Sequence, residues 1–545
     1  MASFPESHPV PEAEPGAAAP NDDAPTRLDQ WQMTPWRLLS PSERGATFEE
    51  VIQGFDADSV LVEAQRCLLC KHPTCISGCP NNNPIPTYIG LVQEGRILEA
   101  AVADYEKNSL AACPGRVCNW EAQCEGNCVL NTRGEGVRIG AIERYIADYA
   151  LRHKDEFEAL MAQRAAERAV RGSSAYTAAE VSPFAATVTA YGNASPEAYV
   201  PPYGIPDDTP LAGHTVGVVG AGPAGLACAD YLSRRGCAVV VFEAQHYAGG
   251  LLADGIPEFV LPEDTVEGEV ARLRDQGVVF RFETVLGSDM SLDDLRREFD
   301  AVFLGIGATT ARRTGVAGED AEGVWTAQEF LRRTKLALAH ALGPEAVAPK
   351  VGGRVLVIGA GNTSVDSART SLRLGARDVR IVYRRTRAES PSRDIEIEHA
   401  ETEHVRFEYL VNPVAYLKDG QGRVRAARLV RMRLGDPDSS GRRRPGPIPG
   451  SEFDLPCDQV ILAVGYAADS VGIGHPEILN RDGTVHVHHE GGDTDLAGVF
   501  AGGDLVRGPM TVVHAIRDGR LAADAIGEYL PAQDNARGLE AAAAD

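Results

Sequence analysis

Residues 214–244, HTVGVVGAGPAGLACADYLSRRGCAVVVFEA, constrain this chain more than any other stretch. A run of small and β-branched residues (Val216, Val218, Val219) leads into Gly220-x-Gly222-x-x-Gly225. A helical pattern follows, and a second apolar run, Val239 to Phe242, closes on Glu243. This is a βαβ unit. Its glycines let the backbone turn tightly and approach a pyrophosphate at the helix N-terminus, while the acid ending the second strand accepts a hydrogen bond from a ribose hydroxyl. Glycine spacing alone also fits an ordinary strand-to-helix turn, but here strand, spacing, helix and acid agree. The motif leaves FAD and NAD open as ligands.

A second unit follows at residues 353–390. Its strand of Val and Ile enters Gly359-x-Gly361, then Asn362 and Thr363, with Ser364 where a third glycine would stand. Its second strand ends in Val382-Tyr383-Arg384-Arg385 rather than in an acid. Guanidinium forks pair with a 2′-phosphate, and no carboxylate stands there to repel one, so Arg384 and Arg385 predict NADP; the alternative is a solvated basic turn. Two dinucleotide folds in one chain read as a flavoprotein fed by a nicotinamide. The expected fold class is α/β, with the second Rossmann-like domain inserted in the first.

Eight of the 11 cysteines precede both folds. They form Cys67-x2-Cys70-x4-Cys75-x3-Cys79-Pro80 and Cys113-x4-Cys118-x5-Cys124-x3-Cys128. Clustered thiols in a reducing compartment bind metal more often than they pair as disulfides. Zinc is one reading, because C-x2-C pairs build zinc ribbons. The C-x3-C-P ending and the short first intervals favour iron-sulfur chemistry, as does a flavin fold in the same chain, although the middle interval is four residues rather than the two of a ferredoxin. Cys228, Cys237 and Cys457 fall in helix or strand patterns and read as core.

The rest of the composition excludes function classes. A net charge of −24 argues against a nucleic-acid or anionic-membrane surface. No apolar run is long enough to span a bilayer, and the N-terminus lacks a charged start followed by an apolar core, so a cytoplasmic location is expected. Residues 1–41 read as a disordered acidic tail, 153–205 as an Ala/Ser/Pro-rich linker or insertion, and 533–545 as a second tail.

The stretches RCLLCKHPTCISGCPNNNPIP, NSLAACPGRVCNWEAQCEGNC and VRIGAIERYIADY resemble the N-terminal helical iron-sulfur domain of the glutamate synthase small (beta) subunit family. That module also occurs in the large subunit of NADH-dependent ferredoxin:NADP oxidoreductase and in the N-terminal part of dihydropyrimidine dehydrogenase. The resemblance covers residues 42–152 and 203–532. It implies two 4Fe-4S clusters with interleaved ligands. One would take Cys67, Cys70, Cys75 and Cys128; the other would take Cys79, Cys118 and Cys124 with Glu143 as a non-cysteine fourth ligand, Cys113 being its rival. Asn119 departs from the family's usual proline. For FAD the resemblance adds Gly249 and Gly250 in a loop near the cofactor, Asp504 near its ribityl or phosphate region, and a helix from Thr511 aimed at the isoalloxazine. It implies a helical 4Fe-4S domain (42–152), an FAD domain in two pieces (206–325 and 467–532) and an NADP domain between them (326–466).

Together these features predict an NADPH-dependent FAD/iron-sulfur oxidoreductase. The expected role is electron input to a glutamate synthase large (alpha) subunit or another electron-accepting subunit; the alternative is a ferredoxin-type, even bifurcating, oxidoreductase. No side-chain acid or base is obligatory for that transfer, which needs positioning and tuned potentials.

Overall fold

The computed structural model describes residues 31–171, 211–338, 348–437, 441–468 and 470–544. The expectations for residues 1–30 and 172–205 fall outside them. Ahead of the nucleotide folds, helices Ala57–Gln65, Ile85–Gln93, Ile97–Tyr105 and Ile139–Arg152 bury Val60, Tyr88, Ile89, Ala101, Ile142 and Ile146 in one core. Their starts follow from local chemistry. The Asp56 side chain accepts from the Ser59 N–H at 2.8 Å, and Pro86 sits in the first turn of its helix, where its missing N–H costs nothing. The cysteine loops run between these helices.

Three expectations about the flanks change. Residues 31–41 do not belong to a tail: strand Arg37–Leu38 pairs with Ile52–Gly54, and Trp36 meets Trp120 edge-on at 6.0 Å. A helix occupies Lys154–Arg171, inside the expected linker, because its apolar residues keep a helical period. The final helix runs from Val512 to Ala544 through Pro531, rather than giving way to a tail near residue 533.

The two nucleotide folds are parallel sheets. In the first, the strand order is Val499–Ala501, Ala301–Leu304, Thr215–Val219, Ala238–Phe242 and Val279–Arg281. In the second it is Arg406–Tyr409, Asp378–Tyr383, Arg354–Ile358, Gln459–Leu462 and Val324–Thr326. Helices cover both faces of a parallel sheet, which is why the central strands are unbroken apolar runs. The first sheet is completed only by Val499–Ala501, after the second has been built, so the second fold interrupts the first in sequence. Strand Val424–Pro437 pairs antiparallel with Val411–Lys418, Arg443–Pro447 and Phe453–Pro456.

Buried charges join the helical unit to the first fold. The Glu269 carboxylate accepts from the Tyr105 hydroxyl (2.8 Å) and the Ala112 N–H (3.0 Å). Beside it, Arg272 donates to Asp230 at 2.7 Å and to the Ser109 carbonyl. Tyr231 and Arg234 donate to the carbonyls of Glu106 and Tyr105, each at 3.0 Å. Burial pushes the Glu269 carboxyl up, and Arg272 with the two donors pulls it back. Removing one member of such a network strands the others without water. Glu269→Ala is therefore expected to cost about 3–5 kcal/mol, read as a lower urea midpoint and as faster proteolysis. Glu269→Gln, which keeps an acceptor, should lose less.

Candidate functional site

A cleft of about 870 Å³ opens along the carboxyl ends of the first sheet. Gly220, Gly222, Glu243, Gly250, Gly305, Asp504, Thr511 and Val512 are among its lining residues. Ligands of open α/β sheets bind at this end of the strands. Gly220 has φ +99, and a Cβ on Gly225 would fall 1.9 Å from the Gly220 carbonyl oxygen, so both must lack side chains. Gly225 thus lies behind the cleft, where helix Pro223–Arg234 packs on its strand. That helix has no side-chain cap, which leaves its first N–H groups turned towards the cleft.

Glu243 is held by backbone donors, accepting from the Ala221 and Gln245 N–H groups at 2.8 Å each. Burial pushes its carboxyl up despite these bonds. The Gly249 N–H donates to the Ala221 carbonyl at 2.8 Å, which sets Gly250 against Gly222 across the cleft mouth. Burial pushes the Asp504 carboxyl up to about 6, and the Met510 N–H donating at 3.1 Å opposes this. Thr511 precedes the long helix; its hydroxyl meets His514 Nδ1 at 2.7 Å, and the helix N-terminus borders the cleft.

In the second fold, Gly359 has φ +130 and Gly361 caps helix Asn362–Arg373 without a side-chain bond. The Asn362 side chain is engaged locally, accepting from the Ser392 hydroxyl (2.8 Å) and the Arg393 N–H (3.1 Å). Thr363 lies in the first turn of that helix. The two strand-end arginines separate. Arg384 is exposed, whereas Arg385 is 6% exposed and its Nε donates to the Arg443 carbonyl at 2.8 Å. Arg385 thus fastens strand Arg443–Pro447 to the fold. Sequence spacing could not distinguish the two.

The thiols gather in two cavities. Cys67, Cys70, Cys75 and Cys128 line one, with Ile85 and Ile139. Cys79, Cys118, Cys124 and Glu143 line the other, with Asn83, Tyr88, Ile85, Ile139 and Val513. Cys113 lines neither; it is buried in the core of the first nucleotide fold. Glu143 is 5% exposed, and one of its oxygens accepts from Asn108 (2.6 Å) and Asn83 (3.3 Å). Burial pushes its carboxyl up to about 8. Both asparagines escaped the sequence reading, although the run Asn81-Asn82-Asn83 after Cys79-Pro80 was a visible signal.

These donors fit metal. Burial pushes the Cys67 thiol up to about 12 and the Cys79 thiol up to about 11, and it raises Cys118 and Cys124 strongly. Thiolates there need a neighbouring cation, which a cluster supplies. All 11 cysteines are free of disulfides.

The cavities are also in sequence. Val512 borders the cleft and the next residue, Val513, borders the Glu143 cavity. Ile85 and Ile139 separate that cavity from the all-thiol one. Beside the all-thiol cavity, Leu68 is 59% exposed.

Comparison with known proteins agrees with this layout. Residues 44–155 match the family described as dihydropyrimidine dehydrogenase domain II, 4Fe-4S cluster, and residues 214–519 match the pyridine nucleotide-disulphide oxidoreductases. The glutamate synthase [NADPH] small chain of Escherichia coli is 37% identical over 89% of this chain and 95% of its own length. That of Azospirillum brasilense is 34% identical over 91% and 94%. The beta subunit of the NADP(+)-dependent formate dehydrogenase of Moorella thermoacetica is 38% identical over 84% of this chain, which spans only 60% of that subunit. FprA of Mycobacterium tuberculosis, 20% identical, covers 59% of this chain with a TM-score of 0.51 and shares the fold. No described helix is long and apolar enough to cross a membrane. Helical 4Fe-4S domain first, interrupted oxidoreductase fold second, the chain belongs to the glutamate synthase small-chain family.

Proposed function

We propose that this chain is an electron-input subunit of the glutamate synthase type, taking hydride from NADPH and delivering single electrons to a partner. The observation that carries it is the unbroken order of cleft, Glu143 cavity, all-thiol cavity and exposed Leu68, with one residue step or two side chains between successive members. In bound form FAD supplies hydride acceptance and two 4Fe-4S clusters supply one-electron steps; this chain supplies their placement.

The division of labour follows the residues. Gly220, Gly222 and Gly225 let the helix at Pro223 present its N–H groups to a pyrophosphate, and Glu243 keeps lone pairs for a ribose hydroxyl beyond its two backbone bonds. Gly249 and Gly250 would bring the loop near a bound cofactor, and Asp504, which lines the cleft, would accept from its ribityl or phosphate region. The N-terminus of the helix after Thr511 borders the cleft, where its positive end would stabilise negative charge on a flavin bound there. Gly359, Gly361, Asn362 and Thr363 shape the NADP turn. Arg384 takes the 2′-phosphate, while Arg385 holds the adjoining strand. Cys67, Cys70, Cys75 and Cys128 hold one cluster; Cys79, Cys118, Cys124 and Glu143 hold the other, with Asn83 and Asn108 fixing the carboxylate. An oxygen ligand is one lever on a cluster's potential. The working units are 42–152 for the clusters, joined by residues 31–41, 206–325 with 467–532 for FAD, and 326–466 for NADP, except that strand Val324–Thr326 belongs to the NADP sheet.

The partner follows from what these residues do not offer. Releasing ammonia from glutamine takes an activated nucleophile, typically an accessible cysteine. Here the thiols either line the two cavities or, as with Cys113, Cys228, Cys237 and Cys457, are buried. The large subunit of glutamate synthase is therefore the acceptor we propose. The likeness to the formate dehydrogenase subunit favours a second reading, a subunit that exchanges electrons with a different acceptor.

Protein purified without oxygen should carry one FAD and about eight irons with matching acid-labile sulfide; zinc without sulfide would sink the cluster assignment. Within it, Glu143→Ala should abolish one cluster's paramagnetic signal and spare the other, and Cys113→Ser should spare both.

Loss of one charge-assisted bond, about 1.5–3 kcal/mol, sets the expectation for Arg384→Ala: KM for NADPH rising roughly 10- to 150-fold, with little change for NADH. Equal use of both nucleotides by the unaltered protein would refute this.

Alone, the chain should oxidise NADPH with artificial acceptors and make no glutamate from glutamine and 2-oxoglutarate. Adding a glutamate synthase large subunit should produce NADPH-dependent glutamate formation. No binding to that subunit, together with rapid exchange with ferredoxin, would select the second reading.

A further inference from the structure

Residues 485–495, VHVHHEGGDTD, lie outside every site described above. The segment doubles back on itself at its glycines: the Gly492 N–H donates to the His489 carbonyl (3.0 Å) and the His488 N–H to the Asp493 carbonyl (2.9 Å). It is fastened at both ends. The His486 N–H donates to the Ile478 carbonyl (2.7 Å), the Thr494 hydroxyl to the Val499 carbonyl (2.9 Å), and the Ala501 N–H to the Gly492 carbonyl (2.8 Å). His486 and His488 are two residues apart, and their rings meet edge-on at 5.2 Å, on one side of the segment. The turn returns Asp495 to that same side.

The result is a compact donor set. One ligand atom from each of His486, His488 and Asp495 falls within 4.8 Å of the other two. His488 Nε2 lies 2.9 Å from one Asp495 oxygen, and His486 Nδ1 lies 3.8 Å from the other. A tetrahedral zinc shell with bonds of about 2.0–2.2 Å spaces its ligand atoms roughly 3.3–3.6 Å apart, so small side-chain rotations suffice. The neighbouring groups are occupied elsewhere. His489 pairs with Asp493 at 3.0 Å and Glu490 with Arg517 at 2.7 Å.

We propose that His486, His488 and Asp495 form a surface site for a divalent transition-metal ion of the zinc class. Two imidazoles and a carboxylate without sulfur suit Zn²⁺, Ni²⁺ and Cu²⁺, whereas the thiol cavities suit softer chemistry. The site is separate from the cleft yet tied to its wall: the Val485 N–H donates to the carbonyl of Leu505, the residue after Asp504, at 3.0 Å. An ion bridging residues 486 and 495 locks the strap that backs this wall, so it stabilises the folded form by binding it and not the unfolded chain.

The test is a calorimetric titration of ZnCl₂ into cluster- and FAD-loaded protein, with copper(II) as a paramagnetic probe. One site with a dissociation constant on the order of micromolar is expected, with a zinc-dependent rise in the unfolding temperature. His486→Ala, His488→Ala and Asp495→Asn should each weaken zinc by about tenfold or more, while His489→Ala, its side chain outside the donor set, should leave affinity within about twofold. Copper should show coupling to two imidazole nitrogens, lost with the histidines. These positions are exposed and outside the cofactor sites, so NADPH oxidation by the variants reports that they fold. Equal zinc affinity in a His486→Ala/His488→Ala protein, or no binding below millimolar zinc, overturns the proposal.

Discussion

Five thiols and one carboxylate withdrawn from water pose a charge problem before they form any relay. Desolvation raises Cys67, Cys75, Cys79, Cys118, Cys124 and Glu143 together, so the ligand form of these groups is favourable only beside a cation. Much of the local architecture serves this one need. Asn83 and Asn108 orient Glu143, and Trp120 walls the same cavity. From the second nucleotide fold, Arg393 donates to the Cys118 carbonyl at 3.1 Å.

Electron transfer weakens steeply with separation, so the helical unit must dock at one fixed position on the flavin fold. Apolar packing alone tolerates small slips; buried charges do not. Asp230, Glu269 and Arg272 on one side and Arg369, Arg373, Glu396 and Glu403 on the other bury ion pairs where the domains meet. Such pairs contribute little net stability, but Glu269 also accepts from Tyr105 and Ala112 and Arg272 donates to the Ser109 carbonyl across the boundary, so a misaligned helical unit would leave buried polar groups without partners, which fixes the docking register. Arg373 also lies over the Phe259 ring at 3.9 Å and donates to the Thr47 carbonyl at 2.8 Å, tying all three units at one point.

The relatives carry different names on one scaffold, including a glutamate synthase small chain and a formate dehydrogenase subunit. The domains are therefore shared, while function is read from sites grafted on them. In this chain Leu68, on the loop between Cys67 and Cys70, is an exposed apolar residue beside the all-thiol cavity.

Both nucleotide folds were legible in the sequence because their determinants are local. Strand periodicity, glycines at fixed spacing and a following helix act within about thirty residues, and Gly225 is required by a contact with Gly220 only five positions earlier. The two thiol quartets were legible by spacing as a metal signal, but their partition was not. Cys79 and Cys128 cross between cavities, and only family resemblance anticipated that crossing; Cys113, the rival to Glu143, lies in a different core. Other features belonged to tertiary structure alone. Arg384 and Arg385 are adjacent and chemically identical, and a strand some sixty residues away occupies one of them. Residues 31–41 look like tail by composition, yet Trp36 finds Trp120. His486, His488 and Asp495 become a donor set only because backbone bonds fold the segment back onto Val499–Ala501. Local periodicity and steric rules are written along the chain, whereas the partner of a buried charge, thiol or ring is chosen by whichever distant surface arrives to exclude water from it.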